Sequence, residues 1–146
     1  MYKKFKLKAY CIIEKDSKIL LVKDVGKDGW KLPGGFVEEK ELIRSAAVRE
    51  VKEETGYLVR LTGFVGVHEY IKDDGTHVIR FHFASEIVGG NEKLREGEIA
   101  EVKWMEKEDV TLLEEKDFFI KPYYVAVKDF LKTSVYSIEL VKVIEK

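Results

Sequence analysis

Residues 35–57 read GFVEEKELIRSAAVREVKEETGY, and the way this stretch folds decides how the rest of the chain is arranged. Ile43, Ala47 and Val51 recur every fourth residue, with Ala46 beside them, as the apolar stripe of one helix face. The spacing predicts a helix from about Glu41 to Thr55, ended by Gly56, since glycine is common just past a helix end. Glu50, Glu53 and Glu54 crowd its last turns, although like charges at that spacing repel by a few tenths of a kcal/mol, roughly, per pair.

At about 100° per residue, Glu50 and Glu54 fall on the side of the apolar stripe, while Lys52 and Ser45 fall opposite. A solvated acidic face would lie beside Lys52. Carboxylates at the edge of a core need cations, because an unpaired buried charge is costly. Arg44, Arg49 and Lys52 are too few and mostly directed elsewhere, so the pattern points to a hard divalent cation such as Mg²⁺, which takes oxygen ligands.

Working outward, FKLKAYCIIEKD and KILLVKD read as two strands joined across Asp16-Ser17. In WKLPGG, Pro33 holds Leu32 extended before two glycines. Beyond the helix, YLVRLTGFVGVHEYI and THVIRFHFASEIV flank KDDG as a long hairpin, and a short strand runs from Val102 to Met105. From Asp117, FFIKPYYVAVKDFL has the pattern of a second amphipathic helix with Pro122 in its first turn. SVYSIELVKVIEK, at the end, alternates as one more strand, which offers an edge for pairing into a homodimer. The expected fold class is therefore α/β or α+β, a mixed sheet with helices against it, in one domain over 1–146.

A chain of 146 residues supports one core. Its charges nearly cancel, at net −1, which argues against nucleic acid or an anionic membrane as partner. No apolar run is long enough to span a bilayer, and MYKKFKLKAYCII is too short and too charged for a signal peptide. The single Cys11, in an apolar strand pattern, reads as core filling and favours a reducing, cytoplasmic home. Lys and Glu supply 40 residues while Asn occurs once and Gln is absent, a balance that suggests a thermophile.

Gly35, Glu41 and Arg49-Glu50-Val51-Lys52-Glu53-Glu54-Thr55-Gly56-Tyr57 together resemble the Nudix box, GX5EX7REUXEEXGU with U a bulky aliphatic residue. Every fixed letter is present. Tyr57 is aromatic where an aliphatic is usual, and Lys40 stands where many members carry glycine. The resemblance covers most of residues 5–131, and the terminal strand-like segment falls outside it. It implies an α/β/α sandwich around a mixed sheet, with the box as loop-helix-loop. It further implies Mg²⁺-dependent hydrolysis, with Mn²⁺ as substitute, of the pyrophosphate in a nucleoside diphosphate linked to another moiety.

By that resemblance Glu50, Glu53 and Glu54 bind metal together with the backbone carbonyl of Gly35. Glu41 pairs with Arg49, which orients Glu50 from behind. The family's general base is either a box glutamate or one from a later loop, which here offers Glu96, Glu98 and Glu101; the spacing of Glu98 to Trp104 favours Glu98. LPGGFVE and the size resemble small ADP-ribose hydrolases, with nucleoside triphosphates and dinucleoside polyphosphates as alternatives. Competing classes are a non-catalytic nucleotide-binding module, which the intact box disfavours, and an isoprenoid diphosphate isomerase, for which Cys11 lies in the wrong context. Trp30, Tyr70, Phe81 and Phe83 are candidates for stacking on a base, and His68, His77 and His82 lack metal-ligand spacing. KLPGG lacks the Gly-Lys-Ser/Thr of a P-loop.

Overall fold

Asp16 and Ser17 both adopt positive φ, 52° and 63°, as a two-residue turn with the twist of a hairpin requires. They join β1 (Phe5–Lys15) to β2 (Lys18–Asp24) as expected. The computed structural model describes residues 4–132 and 135–145. The chain continues with β3 (Gly34–Phe36), α1 (Ile43–Thr55), β4 (Tyr57–Ile71), β5 (His77–Gly90), β6 (Ile99–Glu106), the short α2 (Lys107–Thr111) and α3 (Lys121–Lys132). Single 3₁₀ turns cover Glu115–Asp117 and Ile138–Leu140.

The strands run in the order β4-β5-β1-β2-β6, with β1 parallel to β5 and the other pairs antiparallel, which makes the sheet mixed. One edge of β1 serves two partners. Near the turn it pairs with β2, at Glu14 and Lys15, and further back Lys8–Tyr10 pair with β3. Between these contacts Cys11 N–H donates to the Pro33 carbonyl at 3.0 Å. The split of β1 from β2 leaves the gap into which LPGG inserts.

Alternation along β1 assigns the two faces. Ala9, Cys11 and Ile13 point toward α1 and pack with Ala46, Ala47 and Val51, while Tyr10 and Ile12 point toward α3 and pack with Tyr123, Ala126 and Val127. Burying each large aliphatic side chain contributes about 1.5–3 kcal/mol, so the two faces together fix both helices. The result is the expected α/β/α sandwich. Cys11 is fully buried as expected, and burial pushes its thiol up to about 12.

Helix α1 begins two residues later than the pattern predicts, at Ile43, with Leu42 at its cap and no side-chain bond there. Pro122 is the second residue of α3, where its missing N–H costs nothing. The strand expected over SVYSIELVKVIEK is not formed. Tyr136 makes one antiparallel bridge with Phe64, the Ser137 side chain accepts from Glu139 N–H at 3.1 Å, and the chain turns into 3₁₀ geometry. Local side-chain bonding to the backbone wins over the ladder. Ile138 and Val141 then pack against the α1 face, so among the described residues this segment straps the domain and does not offer the strand edge expected of it. Ser134 and Lys146 lie outside the described residues.

Candidate active site

Glycines 34 and 35 bring β3 to the end of α1. Gly34 has φ 150°, and a Cβ there would stand 2.3 Å from the Ala9 carbonyl oxygen, so only glycine permits this approach to β1. Its N–H donates to Glu54 Oε1 at 2.9 Å. A Cβ on Gly35 would stand 2.9 Å from the Glu50 carboxylate, which therefore lies directly against the β3 backbone.

The glutamates divide as the helical wheel predicts. Glu54 is buried, Glu50 is half-buried and Glu53 is the most open. The expectation that local cations point elsewhere is corrected for Arg49. Arg49 Nε and Nη2 donate to the two oxygens of Glu41 at 2.6 and 3.0 Å, and Nη2 also reaches the Phe36 carbonyl at 2.9 Å. Its Nη1 donates to both Glu50 Oε1 and Glu53 Oε2 at 3.0 Å. Arg44 and Lys52 do turn away, to the carbonyls of Val141 and Gly56. Glu41 lies before α1 and pairs with Arg49 as expected.

A second cation comes from outside the helix. Lys31, between β2 and β3, is buried, and its Nζ donates to Glu54 Oε2 at 2.8 Å while lying 3.2 Å from Asp24 Oδ1. Burial is the strongest influence on Lys31 and opposes its charge, but Glu54, Tyr123 and Asp24 together outweigh it and keep the ammonium protonated more firmly than usual. Burial raises Glu54 above the ordinary carboxylate range, against Lys31 and the Gly34 N–H. Burial raises Glu50 too, against Arg49. Hydrogen bonding to Arg49 lowers Glu41. At the core edge, burial thus outweighs the partners that both carboxylates have.

Among the described residues, no three His, Cys, Asp or Glu side chains already stand as a closed metal cluster. What is present is an edge of three carboxylates against a glycine backbone, with Arg49 across Glu50 and Glu53. Such oxygen donors suit Mg²⁺, and only a residue without a Cβ lets the β3 backbone lie this close to the Glu50 carboxylate.

The loop of residues 91–98 closes one side. It is tied to the end of α1, with Lys93 N–H on the Thr55 carbonyl at 2.8 Å and Arg95 N–H on the Glu54 carbonyl at 3.1 Å. The Arg95 guanidinium bridges Glu53 Oε2 and Glu98 Oε2, each at 3.3 Å. Glu98, though as exposed as Glu96, is thereby tied through Arg95 to the glutamate edge, whereas Glu101 lies on β6 in register with Lys23.

Beside this edge opens a pocket of about 910 Å³, lined by Lys4, Lys6, Lys8, Phe36, Tyr70 and Lys121 among others. Phe36 belongs to both regions: its carbonyl holds Arg49, and its ring carries the Lys8 ammonium at 4.5 Å. Of the four stacking candidates only Tyr70 lines this pocket. Trp30 lies under Lys23, and Phe81 and Phe83 pack on the α1 face. Of the histidines, His68 borders the pocket and meets Asp129, His77 meets Glu69, and His82 is buried and held neutral by that burial. Lys31, Arg95 and the pocket lysines escaped the sequence reading. Only Lys4, Lys6 and Lys8 left a signal there, as alternate charges continuing the inward series of Tyr10 and Ile12.

A family model described as NUDIX domain matches residues 4–127. An ADP-ribose pyrophosphatase of Methanocaldococcus jannaschii is 44% identical over 86 residues, covering 56% of this chain and 51% of that protein. Phosphatase NudJ of Escherichia coli is 37% identical over 79 residues, covering 53% of this chain and 52% of NudJ. The chain thus spans about half the length of these curated relatives. A NUDIX hydrolase from Nitrosomonas europaea, of solved structure, superposes with a TM-score of 0.82 at 23% identity over 97% of this chain and 98% of that one, a likeness of fold. The family match runs from β1 through the box and into α3, and the chain belongs to the Nudix family.

Proposed function

We propose that the chain is a Mg²⁺-dependent pyrophosphohydrolase acting on a nucleoside diphosphate linked to another moiety, with ADP-ribose as the leading substrate and Mn²⁺ able to replace Mg²⁺. The observation that carries this reading is the edge formed by Glu50, Glu53 and Glu54, with Glu50 directly against the Gly35 backbone and burial still raising Glu50 and Glu54 although Arg49 and Lys31 pair with them. Phosphates brought to this edge alone would be repelled, and a divalent ion reverses that sign. The Gly35 carbonyl, Glu50, Glu53 and Glu54 are the residues to hold it. Bound there, it supplies a Lewis acid for the phosphoryl oxygens and a lowered pKa for water.

The chain's own residues do the rest. Arg49, clamped by both Glu41 oxygens, fixes the spacing of Glu50 and Glu53. Glu98, anchored through Arg95, accepts the proton of the attacking water. The water oxygen bonds to one phosphorus, the bridging P–O bond breaks with its electron pair on the departing phosphate, and two phosphomonoesters result. The preference for ADP-ribose is supported by the Methanocaldococcus jannaschii relative, an ADP-ribose pyrophosphatase by name, and by LPGGFVE.

The test is chromatographic product analysis with ADP-ribose, ATP, dGTP and diadenosine tetraphosphate, each with Mg²⁺ and with chelator. Wild type, Glu53→Gln and Glu98→Gln are compared. Expected are AMP and ribose 5-phosphate from ADP-ribose, abolished by chelator and reduced by both substitutions, with metal affinity retained in Glu98→Gln. Tight nucleotide binding without any hydrolysis would replace the enzyme with a binding module. Full activity in Glu98→Gln would remove Glu98 from proton transfer.

A further inference from the structure

The pocket beside the box is cationic to a degree that a neutral sugar or base does not require. Lys6 and Lys8 lie at alternate positions of β1 with Lys4 just before it, and Lys72 and Lys121 line the same pocket. Among the described residues none of these five is ion-paired with a carboxylate, in contrast to Lys18, Lys27, Lys31, Lys107 and Lys116. The two acidic groups of the lining are engaged otherwise: Glu69 meets His77 Nε2 at 3.0 Å, and Asp74 accepts from Thr76 N–H at 2.9 Å. Asp74 also feels Lys4 and Lys72 at longer range.

Three further features have the same sign. Helix α3 starts at this pocket with Lys121 as its first residue and no acidic group in its first turn, although the positive end of the helix dipole favours acids there. Arg80, paired in register with Lys8 and with His68, is fully buried between the rings of Tyr10 and Tyr123 at 4.2 and 4.4 Å. Its Nη1 is 3.5 Å from the Tyr70 hydroxyl on the pocket wall, while Nε and Nη2 have no protein acceptor. Burial first, and then Arg80 and Lys72 nearby, bring Lys8 down to about 8.

Lys6 and Lys8 stand over the Phe36 ring at 5.4 and 4.5 Å, so two of the cations gather on one wall of the pocket. We propose that this pocket binds a phosphate group that the substrate carries in addition to the pyrophosphate cut at the box. The inference rests on the pyrophosphohydrolase reading for its notion of substrate, though binding in the pocket does not depend on hydrolysis. Within the ADP-ribose-like class proposed above, the preferred member is then one that bears a further phosphate, and plain ADP-ribose is the weaker ligand. Lys6, Lys8 and Lys121 act as specificity residues.

The experiment is calorimetric titration in chelator, where the metal-free box repels every ligand's pyrophosphate alike. The probes are ADP-ribose, ADP-ribose 2′-phosphate and adenosine 5′-tetraphosphate. Wild type is expected to bind at least one of the two phosphate-rich probes about tenfold or more tightly than ADP-ribose, a ratio that charge-assisted contacts readily supply. That ratio should collapse in Lys6→Gln/Lys8→Gln and, separately, in Lys121→Gln, with folding checked by circular dichroism. Equal affinity for all three probes in wild type, or a preference untouched by both variants, overturns the proposal. Adding Mg²⁺ separates the two readings. Preference without hydrolysis of any probe sinks the pyrophosphohydrolase and leaves the pocket standing. Hydrolysis without preference does the reverse.

Discussion

Lys31 places one ammonium between Glu54 and Asp24, at 2.8 and 3.2 Å, inside the edge of the core. Removing one partner of such a buried pair costs about 3–5 kcal/mol, because the other charge stays behind unpaired. Lys31→Met should therefore lose about 3 kcal/mol in denaturant unfolding with chelator. Part of that loss should return when Mn²⁺ supplies the missing charge on Glu54. A loss under about 1 kcal/mol, or no recovery with Mn²⁺, would mean that Lys31 does not hold Glu54. The pair joins residues 23 apart in the chain, and nothing in a single sequence marks Lys31 as its partner. Arg49 shows a different limit: the resemblance gave its bond to Glu41, but only coordinates show one guanidinium reaching three glutamates.

At the scale of elements, periodicity carried most of the reading. Apolar spacing gave α1 and placed Glu54 inward, Gly56 ended the helix with φ 82°, and the hairpin of β4 and β5 followed from alternation around KDDG. The start of α1 was harder to read because no side chain caps it. The preceding loop turns through Lys40, at φ 63°, a conformation that costs a side-chain-bearing residue about 1–2 kcal/mol. Its place in the box is one where glycine is usual, so Lys40→Gly should raise stability by about 0.5–1 kcal/mol after the entropy of glycine is set against the strain. Denaturant unfolding measures it, and a loss of stability would show that Lys40 is not strained. The terminal segment misled because alternation alone does not supply a strand with a ladder. One bridge to Phe64 and the Ser137 turn take its place.

For the whole molecule, the two faces of one sheet divide the labour. Odd positions of β1 hold α1, and through it the glutamate edge. Even positions hold α3 and run outward from Ile12 and Tyr10 to Lys8, Lys6 and Lys4 at the pocket. The fold and the box were legible because they are local patterns repeated on a sheet. The pocket was not, because β1, the β4–β5 hairpin and the start of α3 meet there only after folding. Central to the proposed function is a divalent ion held at the glutamate edge. The most direct measurement is Mn²⁺ binding followed by electron paramagnetic resonance in wild type, Glu50→Gln and Glu53→Gln. A metal cradle requires saturable binding in wild type, weakened about tenfold or more by each substitution. Binding of equal strength in all three proteins would contradict it.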